Sequence, residues 1–247
     1  MAADTEDYPA LPPPYAEALR EAVAYLRERF TPSAIIASGT IVRGNPGPSS
    51  DLDLYVIIER PERQRLQRFF HGVPAEIFVN SLNWIERYFV AEIEAGRPVT
   101  AHMLATGVAV YDPSGTGAAL IARATGLLAE GPRPSEATLV SVRYYAATNL
   151  EDGFDILESG PELARAFLYR AVEGALRYRF LSAGQWQPRF KELLGALDQL
   201  DPKLAELTRR FYRASVLDEQ ATLAREIVAR TVGETGFFPW ESAVEPE

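Results

Sequence analysis

Asp51 and Asp53 stand two residues apart in the stretch Asp51-Leu52-Asp53-Leu54-Tyr55-Val56-Ile57-Ile58. Side chains alternate along a strand, so a strand here sends both carboxylates to one face and Leu52, Leu54 and Val56 to the other. Like charges held this close repel, which raises one of their pKa values unless a positive charge sits between them. A hard divalent cation such as Mg²⁺ removes that cost, because it prefers oxygen ligands and keeps waters and phosphate oxygens around it. The composition closes off other chemistries. Cysteine is absent, which excludes disulfides, zinc–cysteine sites, iron–sulfur clusters and thiol nucleophiles. The two histidines, His71 and His102, are too few for a multi-histidine metal site. No Gly-Lys-Ser/Thr phosphate loop occurs. What remains is carboxylate chemistry, with 34 Asp and Glu against 25 Lys and Arg and a net charge of -9.

The residues upstream point to phosphate. An apolar run, Ala34 to Ser38, leads into Gly39-Thr40, and ten residues separate Thr40 from Asp51. That stretch holds Arg43, Gly44, Gly47, Ser49 and Ser50. Glycine lets backbone approach a phosphate closely, and hydroxyls and amides bind its oxygens. Downstream, Val73 to Asn80 reads as another strand and places Glu76 among apolar neighbours, a costly position for an acid unless compensated.

Taken together, this segment resembles the nucleotidyltransferase superfamily related to polymerase β. Its signature is an apolar strand, Gly-Ser or Gly-Gly, nine to thirteen residues, then Asp-x-Asp or Asp-x-Glu on the next strand. This chain has threonine where that pattern has serine, which keeps the hydroxyl and adds a methyl group. The resemblance implies that Asp51 and Asp53 bind one or two Mg²⁺ ions. It implies that Glu76 completes the metal site or takes the acceptor proton, and that Gly39, Thr40 and Ser50 hold phosphates. Arg43 and Lys191 would neutralise their charge. Lys191, in Gly184-Gln-Trp-Gln-Pro-Arg-Phe-Lys191, is one of only two lysines and sits at an expected helix start.

Over most of its length the layout is similar to the kanamycin and streptomycin/spectinomycin nucleotidyltransferases. That implies transfer of a nucleoside monophosphate, AMP from ATP first, to a hydroxyl of a small acceptor, with release of pyrophosphate. An aminoglycoside-type antibiotic is then a candidate acceptor. The acid-rich helix around residue 150 offers two faces for a cationic acceptor. Tyr145, Asn149 and Asp152 share one, and Glu151, Asp155 and Glu158 the other. Two other readings stay open. One is a nucleotidyltransferase that modifies a protein or RNA end, although the acidic charge of both halves disfavours nucleic acid. The other is a catalytically silent nucleotide-binding scaffold.

These residues need elements to hold them. Tyr15, Leu19, Val23, Leu26 and Phe30 recur at helical spacing. Strands are expected at Ala34–Ser38, Asp51–Ile58, Val73–Asn80 and Val108–Tyr111. Pro61 to Phe70 reads as a helix closed by Gly72. Ser81 reads as the cap of a helix to about Ala95. Further helices are expected near Val99–Thr106 and Gly115–Ala129. After the Pro- and Gly-bearing stretch at 130–135, everything reads as helix: about 135–159, 161–184, 188–200, 202–215 and 217–232. The expected fold is an α+β domain with a mixed β-sheet flanked by helices, followed by an all-α helical bundle. The expected boundaries are 1–130 for catalysis and 131–247 for acceptor binding. Phe237, Phe238 and Trp240 are too apolar for a solvated tail and are expected to dock. No stretch has the length and apolarity of a membrane span, and Met1 to Pro14 lacks the pattern of a signal peptide, so a cytoplasmic protein is expected.

Overall fold

The computed structural model describes residues 8–242; the remaining residues of the expected domains and of the N-terminal stretch lie outside them. The chain divides into two compact units. One holds the described residues through Glu92 together with Pro98–Glu130, and the other holds Ile93–Arg97 with the described residues from Gly131 onward.

The first unit is built on a five-stranded mixed sheet. Its elements are α1 (Tyr15–Phe30), β1 (Ala34–Ser38), α2 (Gly39–Val42), β2 (Leu52–Ile58), β3 (Arg63–Phe70), β4 (Val73–Ser81), α3 (Leu82–Ala95), α4 (Val99–Ala105), β5 (Val108–Tyr111) and α5 (Thr116–Glu130). The strand order is β3-β4-β2-β1-β5. β2 and β4 run parallel, and the other pairs are antiparallel. Leu52, Leu54, Val56 and Ile58 from β2 join Ala75, Ile77 and Val79 from β4 in one core with Leu19, Val23 and Leu26 of α1. That alternation fixes which residues remain for the opposite face: Asp53 and Tyr55 on β2, Glu76 and Phe78 on β4. α4 and α5 pack against each other and on β1, burying Leu104, Leu120, Ala124 and Leu127.

Residues 63–70 form a strand, against the expected helix. They pair with β4 along their whole length, from Arg63 opposite Asn80 to Phe70 opposite Val73. The connection is the two-residue turn His71-Gly72, where both residues have positive φ, 47° and 77°. This is the conformation a tight hairpin requires. Gly72 therefore turns a hairpin and does not end a helix. β3 is one edge of the sheet, and its exposed arginines and glutamines discourage edge-to-edge pairing. Gly39–Val42 is a helical turn. One smaller difference accompanies the strand: Ser81 closes β4, its buried hydroxyl has no hydrogen-bond partner among the described residues, and so it does not cap α3.

In the second unit the helices are α6 (Glu136–Asp155), α7 (Pro161–Ser182), α8 (Leu193–Leu200), α9 (Pro202–Arg213) and α10 (Leu217–Thr231), with a 3₁₀ turn at Phe190–Glu192. Ser135 caps α6 by accepting from Thr138 N, and Asp201 caps α9 by accepting from Leu204 N. Pro161 and Pro202 open α7 and α9, where a missing N–H costs nothing. Leu150, Leu168, Val172, Leu176, Leu197, Leu204, Phe211 and Ile227 make its core. The mixed sheet with its helices, then helices alone, is the architecture the sequence leads one to expect. Of the apolar tail residues, Phe238 is buried near Arg143 and Trp240 lies 5.5 Å from Tyr144, while Phe237 is exposed. No helix among the described residues is long and apolar enough to cross a membrane.

Candidate active site

Three acidic residues converge where the start of β2 lies beside β4. Asp51 lies just before β2, Asp53 is the second residue of β2, and Glu76 sits on β4 directly opposite Asp53 in the parallel register. All three are half-buried, and each offers a carboxylate oxygen within 4.8 Å of the others. Three acids this close repel unless a cation or bound protons relieve them. An all-oxygen donor set of this size fits a hard divalent ion that keeps waters or phosphate oxygens in its remaining positions.

The turn after β1 is shaped around these acids. Ser38 pairs across the sheet with Asp53, and Gly39 follows with φ +88°. A Cβ at position 39 would stand 2.3 Å from Asp53 Oδ2, so only glycine allows this approach. Thr40 opens the turn of α2, and its Oγ1 lies 2.8 Å from Ser50 Oγ. Gly47 N donates to the same Ser50 oxygen at 2.8 Å. The ten-residue stretch is thus folded back on itself, and the expected phosphate-binding hydroxyls of Thr40 and Ser50 lie side by side. Arg43 Nη1 donates to Thr106 Oγ1 at 3.3 Å.

Residues 19–96 match the nucleotidyltransferase domain family. The matched segment runs from within α1 to just beyond the end of α3 and contains Asp51, Asp53 and Glu76 with Gly39, Thr40, Arg43 and Ser50. Among solved structures, a nucleotidyltransferase-like protein from Exiguobacterium sibiricum has a similar fold. It is 13% identical, with a TM-score of 0.54 over 88% of this chain and 73% of that one. No curated protein matches the chain.

Within the matched segment, β3 supplies groups that the helix reading hid. Arg65 Nε and Gln67 Nε2 each donate to Glu76 Oε1 at 3.1 Å, and Arg65 Nη2 donates to the same oxygen. Gln67 is the register partner of Glu76, and Arg65 lies two residues along on the same face, 4.9 Å over the Phe78 ring. Residues 63–68 are polar at every position but Leu66, so no alternation marked them as a strand, and the His71-Gly72 turn was the one signal. A second missed residue is Glu92 on α3. It accepts from Thr100 N at 2.6 Å and Ala101 N at 3.1 Å, and so caps α4. Burial pushes its pKa above the ordinary carboxylate value, although the Thr100 and Ala101 hydrogen bonds pull the other way. Burial likewise holds the Tyr55 hydroxyl proton well above the usual phenol range.

The other expected site residues belong to the second unit. Lys191 is exposed on the 3₁₀ turn Phe190–Glu192. Asp152 and Asp155 are exposed on α6.

Proposed function

We propose that the protein is a Mg²⁺-dependent nucleotidyltransferase of the cytoplasm. It transfers a nucleoside monophosphate, AMP from ATP, to a hydroxyl of a small acceptor and releases pyrophosphate. The observation that carries this reading is the convergence of Asp51, Asp53 and Glu76 beside the Gly39 turn, inside the matched domain. Asp51 and Asp53 hold the metal, with Glu76 completing the set. The bound metal supplies Lewis-acid stabilisation of charge on the phosphate oxygens. The acceptor oxygen forms a bond to the α-phosphorus while the bond to the pyrophosphate oxygen breaks, and the acceptor proton passes to a carboxylate, Glu76 in the simplest case. Gly39, Thr40 and Ser50 bind phosphate oxygens through amides and hydroxyls, and Arg43 and Lys191 offset their charge. Asp152 and Asp155 suit the amino groups of an aminoglycoside-type acceptor.

Pyrophosphate release tests this directly. The full chain is incubated with Mg²⁺, each nucleoside triphosphate in turn, and a panel of aminoglycosides, hydroxylated acids and other hydroxylated metabolites. Release should depend on Mg²⁺ and on one acceptor class. Asp51→Asn should lower it by at least about 10²-fold with the fold retained. Undiminished release in that variant overturns the mechanism. Label from ATP appearing on protein or RNA of a lysate, and not on a small molecule, would move the reading to macromolecular acceptors.

A further inference from the structure

The second unit carries an open cavity of about 670 Å³ that is lined by Tyr145 and by neither Asp152 nor Asp155. Its size falls in the range of small-molecule sites, about 300–1,000 Å³. The segment Ile93–Arg97 is fastened along this unit. Arg133 N donates to Ile93 O at 3.0 Å, Gln187 N donates to Gly96 O at 2.8 Å, and Arg177 Nη2 donates to Ala95 O at 3.1 Å. Between that segment and α6 and α7 the walls include Arg97, Ser141, Tyr145, Glu173, Arg177 and Gln187. Gly174 on α7 leaves room for the Tyr145 ring: a Cβ there would come within 2.9 Å of Tyr145 Cδ1. The cavity thus has one aromatic wall, hydroxyl and amide groups, and two guanidinium groups against one carboxylate. A locally positive cavity in a chain of net charge -9 favours anions against the trend of the whole molecule.

Arg177 adds an independent sign. Its Nε is buried and has no hydrogen-bond partner among the described residues. With Nη2 held by Ala95 O, the guanidinium is fixed in the cavity wall, and a guanidinium matches the oxygens of a carboxylate or phosphate. Arg97, Glu173, Arg177 and Gln187 also wall a smaller neighbouring cavity that includes Leu176, Phe180, Phe190 and Leu193, so apolar surface lies beside the charged groups. Asp152 and Asp155 are not among the walls of either cavity.

We propose that this cavity binds a small organic molecule through an anionic group, a carboxylate or phosphate, held by Arg177 and Arg97 with Tyr145 against its body. On the reading that the helical unit binds the acceptor of nucleotidyl transfer, this cavity favours an organic acid or phosphate ester over the aminoglycoside type suited to Asp152 and Asp155, and the pyrophosphate-release panel decides between the two. The proposal of binding stands apart from turnover, so the two can fail separately.

The test is ligand-observed saturation-transfer NMR on the full chain with three probes: benzoate, phenyl phosphate and benzyl alcohol. At least one anion should bind, the tighter of the two assigning the class, and benzyl alcohol should not. Arg177→Gln should weaken anion binding by about tenfold or more, the loss of one charge-assisted contact. Ser141→Trp, an exposed substitution on α6 that fills the cavity, should abolish it even if Arg177→Gln fails to fold. Binding should persist in Asp53→Asn whether or not that variant turns over. Equal binding of benzyl alcohol, no binding of either anion, or unchanged binding in Ser141→Trp overturns the site. Competitive displacement of the anion by a non-hydrolysable ATP analogue with Mg²⁺ would assign the arginines to the nucleotide's phosphates and overturn the acceptor class.

Discussion

Arg65 is an exposed side chain, so its ion pair with Glu76 adds little stability. Its consequence is positional. Arg65 and Gln67 place three donors on Glu76 Oε1 and so fix which way that carboxylate faces. Groups that orient a metal ligand typically matter by about 10–100-fold in metal affinity. Arg65→Met is therefore expected to weaken Mn²⁺ binding by about tenfold in calorimetry with an unchanged melting temperature, and Arg65→Lys to recover part of that loss. Gly39→Ala should do more. Its Cβ collides with Asp53 Oδ2, and its φ of +88° costs an L-residue about 1–2 kcal/mol. Both a lower melting temperature and loss of Mg²⁺-dependent turnover are expected. Asp51 and Asp53 were legible from type and spacing, because strand alternation needs no partner to be read, and Gly39 from the resemblance that the pair completes. Arg65 was not legible as a partner of Glu76, because only the β3–β4 register brings positions 65 and 76 together.

The segment Arg63–Phe70 shows where local pattern loses to pairing at the level of elements. Its near-continuous polar run carries no strand alternation, and its proline-led start and following glycine read as a helix with a stop. The unpaired edge of β4 decides, since a strand there satisfies a ladder of backbone groups. A similar accounting explains the start of α6. Ser135 accepts from Thr138 N, while Glu94 accepts from Ser135 N, Ser135 Oγ and Thr138 Oγ1. Ser135→Ala is expected to cost about 1 kcal/mol in denaturant unfolding. These hydrogen bonds, that of the Ser135 hydroxyl foremost, hold the Glu94 pKa below its ordinary value of 4.5. A carboxylate depressed in the folded state stabilises at pH above its unfolded pKa, and that stabilisation is lost as pH falls through the folded value. Glu94→Ala should therefore be less stable than the parent at pH 7, with the difference closing as pH drops below 4.5. A difference that stayed constant from pH 7 to pH 3 would show that the hydrogen bonds do not depend on the charge.

For the molecule as a whole, each unit carries its own core, one of strand and helix residues and one of helix residues alone. Leu54 and Leu197 are fully buried in the first and second core. Leu54→Ala and Leu197→Ala are each expected to cost about 2–5 kcal/mol, read by denaturant titration, because the removed methyl groups leave cavities in close-packed interiors. The sequence by itself determined the acid pair, the glycine turn before it, the third carboxylate and the change from mixed to helical structure near residue 130. The acid pair and the change of structure follow from residue type and short-range periodicity, while the glycine turn and the third carboxylate were singled out by the resemblance. Only the tertiary structure decided that β2 and β4 run side by side with Asp53 opposite Glu76, that Arg65 and Gln67 clamp that glutamate, and that Arg97 and Arg177 face one cavity. Those juxtapositions join residues up to 80 positions apart (Arg97 to Arg177). They depend on register and helix packing, which no local pattern specifies.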